Sequence, residues 1–209
     1  MLWNEAVTLF GSTQVPMPLE ETRLFTIPVA KVWVPETQTL KQELLPEMLR
    51  EYQAKAYAKP AQWETDRIHT SFTKGKIVGS LPPAYEKLVR QFVPTGTFEA
   101  ELWHNVYWTG DEYQERHHHI PCHLSFIHFL AFNHGEHKPP IFYDPAQMIK
   151  AHCRFDCLPV EIWEEQAQID VYEGDALVFP SYLEHRVPPG KYSKPRVTVT
   201  INITLLRSG

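Results

Sequence analysis

Only three cysteines, Cys122, Cys153 and Cys157, occur in the 209 residues. So small and odd a number excludes a disulfide framework and suits a reducing compartment. Glycine is scarce too, with 9 residues against 18 prolines. The prolines disfavour long helices and point to strands and loops. No apolar run approaches the ~20 residues a membrane helix needs. The opening residues, MLWNEAVTLF, lack the basic start and long apolar stretch of a secretory signal, so the cytoplasm is the expected location. The 20 lysines and arginines are scattered and the formal net charge is −5, which argues against nucleic acid as a partner. No G-x-S-x-G, P-loop or dinucleotide fingerprint occurs.

What is present is a packable chain rich in histidine. Hydrophobic residues make up 43% of it, enough for one domain with a sizeable core. Of 11 histidines, eight crowd into one stretch: His104, His117, His118, His119, His123, His128, His134 and His137.

The first half reads as an extension of strand and helix, residues 1–97, packing on a core of residues 98–209. Residues 24–34 read as extended. Over 37–58, Leu40, Leu44, Leu45, Met48, Leu49, Tyr52 and Ala56 recur near the helical period. Pro46 predicts a helix that starts near Leu45 or kinks there. A second short helix is expected over 84–92, between Pro82-Pro83 and Pro94. Strands then dominate, at 98–108, 114–119, 123–132, 168–173, 176–180 and 196–205, with a loop-rich stretch over 135–165 that includes a short helix near 145–152. In the last strand Arg196, Thr198, Thr200, Asn202 and Thr204 share one side, and Val197, Val199, Ile201, Ile203 and Leu205 the other. A polar face led by one arginine, without lysine or glutamate, suits the inside of a polar cavity as well as bulk water. The expected class is mainly β, a sandwich or jelly-roll barrel.

Within a strand, His117 and His119 present two imidazoles on one side, and His118 points away. Such a pair holds a metal only if a third ligand arrives from elsewhere; otherwise it is a solvated loop. His185, after the apolar strand ALVFP, is the candidate. Imidazole serves iron, zinc, copper or nickel alike. His152, Cys153 and Cys157 fall short of a structural zinc set. His134 and His137 read as a solvated turn, His123 and His128 as packed, and Trp103 as a core aromatic that shares a face with Asn105.

Three pieces carry a resemblance. ELWHNVYWTGDEYQERHHHIPCHLSFIHFL, EGDALVFPSYLEHRVPP and RVTVTINI resemble, in order, segments of the 2-oxoglutarate/Fe(II) dioxygenase superfamily. The likeness is to a bacterial and phage branch with an H-x-H…H…R pattern, and more distantly to prolyl 4-hydroxylases. It covers about half of the chain. It implies a double-stranded β-helix (jelly-roll, cupin-like) core with flanking N-terminal helices. It implies Fe(II), 2-oxoglutarate and O2 as cofactor and cosubstrates, and a peptidyl (including prolyl) or small-molecule substrate. His117 and His185 match iron ligands, and His119, which stands where most of the superfamily has a carboxylate, is the third ligand that the H-x-H branch implies. Arg196 matches the residue that grips the far carboxylate of 2-oxoglutarate, with Asn105, Tyr107 and Asn202 as further polar lining. Two alternatives remain: a non-oxidative cupin-like metalloprotein on three histidines, and a catalytically silent binding module.

Overall fold

The computed structural model describes residues 27–54, 69–71, 81–109, 112–148 and 165–206. Its strands are β1 (Ala30–Trp33), β2 (His69–Ser71), β3 (Phe98–Thr109), β4 (Gln114–His117), β5 (Leu124–Ala131), β6 (Ile141–Tyr143), β7 (Gln166–Gln168), β8 (Asp175–Pro180), β9 (His185–Val187) and β10 (Lys191–Leu205). The helices are α1 (Thr37–Gln53) and α2 (Pro83–Arg90). The strands form a six-stranded sheet in the order β1-β8-β5-β10-β3-β2 and a four-stranded sheet in the order β4-β9-β6-β7. The pairings are antiparallel. This is the mainly β, two-sheet architecture expected. No helix among the described residues is long and apolar enough to cross a membrane.

Strand β10 is central to the large sheet, pairing with β3 on one side and β5 on the other. Its period-two pattern explains its place. Val197, Val199, Ile201 and Ile203 are fully buried beneath α1 and α2, in one cluster with Leu40, Met48, Tyr85, Leu88 and Val89. Each such side chain contributes roughly 1.5–3 kcal/mol on burial. The opposite face meets its partners on β3 in register: Arg196 opposite Tyr107, Thr198 opposite Asn105, Thr200 opposite Trp103. Those six residues line one cavity.

Two expectations need correction. Helix α1 neither starts at Leu45 nor breaks at Pro46; it runs from Thr37 to Gln53 with Pro46 inside. Proline removes one backbone N–H from the helix, and the buried positions Thr37, Leu40 and Met48 anchor the helix on both sides of it. The helix also ends before residue 58, with Ala54 as its C-cap. Strand 168–173 is not formed either. Gln166–Gln168 pairs with β6, after which Ile169 and Val171 pack into an apolar cluster outside any ladder. The chain is turning there: Gly174, at φ 96°, donates its N–H to the Phe129 carbonyl at 2.9 Å.

Gly174 also lies under the Trp33 ring, where a Cβ would come within 2.4 Å of ring carbon. Gly174→Ala therefore combines a positive-φ penalty with a clash against a large aromatic. A loss on the order of 2 kcal/mol in urea unfolding is expected. A variant as stable as the parent would remove this account of the β1–β8 corner.

One buried polar cluster ties the helices to the sheet. Thr37 Oγ1 donates to the Val34 carbonyl at 2.6 Å, so it accepts from His128 Nε2 at 3.0 Å. The Tyr85 hydroxyl then donates to His128 Nδ1 at 3.0 Å. Burial lowers the His128 pKa from 6.5 to about 4. The unfolded chain takes up a proton near pH 6.5 that the folded chain refuses until about pH 4, so stability is lost as pH falls through that window. Thermal melts of the metal-free protein at pH 7.5 and pH 5 should show a fall of several degrees, and His128→Gln should remove part of it. Equal melting temperatures at the two values would contradict this reading of the cluster.

Candidate active site

Strand β4 ends at His117, which pairs with His185 at the start of β9. His119 lies just beyond β4, not within it as the sequence suggested. Its N–H donates to the Ser181 carbonyl at 2.8 Å, which holds the chain in place where the ladder stops. His117 and His119 nevertheless face together, with ring centroids 5.2 Å apart. His185 stands 4.3 Å from His117 and 5.1 Å from His119 by the same measure. One ring nitrogen from each of the three lies within 4.8 Å of the others. His118 points outward and is exposed.

The hydrogen bonds behind the rings select their tautomers. His117 Nδ1 meets the Glu115 carbonyl at 2.6 Å, and His185 Nδ1 meets the Leu183 carbonyl at 3.2 Å. A carbonyl only accepts, so both Nδ1 atoms carry the proton. His119 Nδ1 meets Asn202 Oδ1 at 2.7 Å, which has the same consequence. All three rings therefore direct an Nε2 lone pair inward. Burial lowers the His119 pKa to about 3, with the His117 charge acting in the same direction and Asn202 opposing it. Burial, followed by the neighbouring His117 and His119 charges, holds His185 well below the ordinary imidazole range. Imidazoles with their far nitrogens anchored are the donor set that a borderline transition metal takes. Phe179 and Phe142 pack on His185, with centroids at 5.1 and 5.8 Å.

Arg196 shares the cavity with His119 and His185. Its side chain is 1% exposed. The guanidinium lies 4.5 Å from the Tyr107 ring centroid. Among the described residues its Nε and Nη1 have no hydrogen-bond partner. Burial lowers its pKa, opposed by Tyr107 and Tyr192. A buried cation with two idle N–H groups beside a cavity is matched chemically by a carboxylate, which accepts two parallel hydrogen bonds.

The other expected residues divide. Asn105 and Tyr107 line the cavity, and Asn105 Nδ2 reaches Thr200 Oγ1 at 3.4 Å. Asn202 sits behind His119, accepting from it and from Ser125 Oγ at 2.8 Å. Trp103 lines the cavity as well, with its ring 5.6 Å from His119. Gln114, Ile127 and Val187, which the sequence reading missed, complete the wall. The alternation of β9 could have found Val187, two residues from His185; Gln114 lacks any such signal. His137 is not solvated. It is buried, accepts from the Asn133 N–H at 2.9 Å and donates to the Lys194 carbonyl at 3.0 Å. His134 is exposed and pairs with Asp170. His152, Cys153 and Cys157 lie outside the described residues.

Two antiparallel sheets around a cavity lined by histidines and one buried arginine define a protein of the double-stranded β-helix class. Residues 101–202, just under half of the chain, match the family described as "Putative 2OG-Fe(II) oxygenase". That family is one of oxidoreductases that use iron and 2-oxoglutarate. Among solved structures the chain is similar to a prolyl-4-hydroxylase of Pseudomonas putida, at 16% identity and TM-score 0.54, covering 86% of this chain and 94% of that one. It is also similar to the viral collagen prolyl hydroxylase of Paramecium bursaria Chlorella virus-1 in its 2-oxoglutarate complex, at 11% identity and TM-score 0.51, covering 86% and 96%. A third is the epimerase SnoN of nogalamycin biosynthesis, in complex with Fe3+, alpha-ketoglutarate and nogalamycin RO, at 14% identity and TM-score 0.53, covering 83% and 78%. At these identities the likeness shows the fold. No curated protein matches.

Proposed function

We propose that the chain is an Fe(II)- and 2-oxoglutarate-dependent dioxygenase that hydroxylates a C–H bond of a peptidyl, including prolyl, or small-molecule substrate. The observation that carries this reading is Arg196, buried with idle Nε and Nη1 in the cavity that His119 and His185 also line. A metal alone does not call for such a residue, and a dicarboxylate does.

In this reading His117, His119 and His185 hold the iron through Nε2. The carbonyls of Glu115 and Leu183 and the amide oxygen of Asn202 keep the rings in that tautomer. Arg196 grips the far carboxylate of 2-oxoglutarate, and Asn105, Tyr107 and Thr198 shape the space around it. Iron with its cosubstrates supplies the oxidation, in which 2-oxoglutarate, O2 and R–H become succinate, CO2 and R–OH. The protein's share is to orient both carbon skeletons and exclude water. Phe179 and Phe142 do the second of these around His185.

We take residues 98–209 as the catalytic core and 1–97 as the extension that packs on it, and place the protein in the cytoplasm on its cysteine usage. The prolyl reading leans on the two hydroxylases of similar fold. The experiment is succinate formation from 2-oxoglutarate with Fe(II), in the parent and in His185→Ala and Arg196→Ala. Activity in the parent that both substitutions abolish supports the assignment. Activity that survives both ends it. Metal binding without 2-oxoglutarate binding would favour a non-oxidative three-histidine site.

A further inference from the structure

His119 stands where most of the superfamily has a carboxylate, and three buried polar residues from three strand segments meet behind it. Asn202 on β10 pairs directly with Ser125 on β5. Ser181 follows β8 and also accepts the His119 backbone N–H at 2.8 Å. Ser125 and Ser181 are 0% and 1% exposed, and Asn202 is 5% exposed. Their contacts form one chain: Ser181 Oγ to Ser125 Oγ at 2.8 Å, Ser125 Oγ to Asn202 Oδ1 at 2.8 Å, and His119 Nδ1 to Asn202 Oδ1 at 2.7 Å and to Ser125 Oγ at 3.0 Å.

Donor counting gives this cluster a direction. Ser125 spends its proton on Asn202 Oδ1, so Ser181 donates to Ser125. The amide oxygen then receives two protons, one from Ser125 and one from His119 Nδ1–H. We propose that Asn202, backed by Ser125 and Ser181, is a positioning residue that seats an imidazole at 119 in its Nδ1–H tautomer. The seat turns His119 into an Nε2 ligand and makes the third position of the centre a built one. Outer partners of ligating histidines commonly govern metal affinity by ten- to a hundredfold. His117 and His185 use backbone carbonyls for the same purpose, so Asn202 is the side chain through which this centre is adjustable.

The inference rests on the three-histidine reading for its metal consequence, but its core is testable in metal-free protein. Nitrogen-15 NMR of the His119 ring distinguishes protonated Nδ1 from protonated Nε2. The parent should show Nδ1–H. Asn202→Leu should lose that preference, and Asn202→Asp, which retains an acceptor, should keep it. Affinity for Co(II), read by chelator competition, should fall about tenfold to a hundredfold in Asn202→Leu and return to within about threefold of the parent in Asn202→Asp. Should Asn202→Leu fail to fold, Ser125→Ala serves: it leaves Asn202 in place, so Nδ1–H should persist with a smaller loss of affinity. An Nε2–H tautomer in the parent overturns the proposal. So does Asn202→Leu retaining both tautomer and affinity, or Ser125→Ala losing the Nδ1–H form. A parent that shows Nδ1–H but binds no Co(II) would defeat the metal reading and leave the seat standing.

Discussion

Arg196→Met will lose 2-oxoglutarate binding by a hundredfold or more, without losing stability. The two halves of that result come from one fact. Arg196 is buried with no carboxylate partner among the described ion pairs, and its Nε and Nη1 have no partner there. Taking a cation out of water without an opposing charge costs several kcal/mol, and the contact with the Tyr107 ring recovers only a part. A methionine of comparable reach relieves that cost, so the melting temperature of the ligand-free variant should equal or exceed the parent's. The cosubstrate, by contrast, loses the cation matched to its far carboxylate. Truncating one partner of a buried, hydrogen-bonded charge pair costs about 2–5 kcal/mol, and each 1.4 kcal/mol is about tenfold in affinity. Titration calorimetry and a thermal melt on the same two proteins check both halves. A variant that binds 2-oxoglutarate as well as the parent would show that the arginine serves packing alone.

His185→Ala will abolish turnover and remove the metal's effect on stability. The ring is 2% exposed and lies between Phe179 and His117. Two imidazoles remain in the variant, too few for a stable centre on neutral donors. In the parent, metal at a thousand times its dissociation constant should raise stability by about 4 kcal/mol, because the unfolded chain would have no preformed site. Melts with and without Fe(II), oxygen excluded, should therefore separate by many degrees in the parent and coincide in His185→Ala. The alanine also empties space beside two phenylalanines, so a modest loss of stability in both conditions is expected. The metal-dependent difference isolates ligation from packing.

Much of this site was legible in the alternation of single strands. The period-two alternation of β10 put Arg196 on a polar face suited to a cavity; the resemblance added Asn105 and Tyr107 to the lining, and the register sets Tyr107 opposite Arg196. The apolar strand before it singled out His185 as a candidate, and the resemblance gave it the role of an iron ligand. What stayed illegible is what depends on contacts across the chain. Asn202 was expected to line the cavity, but its side chain is drawn behind His119 by an acceptor geometry that arises only once β10, β5 and the end of β8 are assembled. His137 read as solvated because its neighbours are polar; its burial comes from the segment around Tyr192 and Lys194 folding over it. Helix α1 persists through Pro46 because its burial against the sheet outweighs a local rule.

A centre that chelates a dicarboxylate requires metal and 2-oxoglutarate to share this cavity. Titrating 2-oxoglutarate into the protein with oxygen excluded, once with Fe(II) and once without metal, measures that. About one equivalent should bind tightly in the presence of Fe(II), and the metal-free protein should bind it far more weakly. Equal binding in the two titrations, or none in either, would contradict a centre built from His117, His119 and His185 that chelates a dicarboxylate held by Arg196.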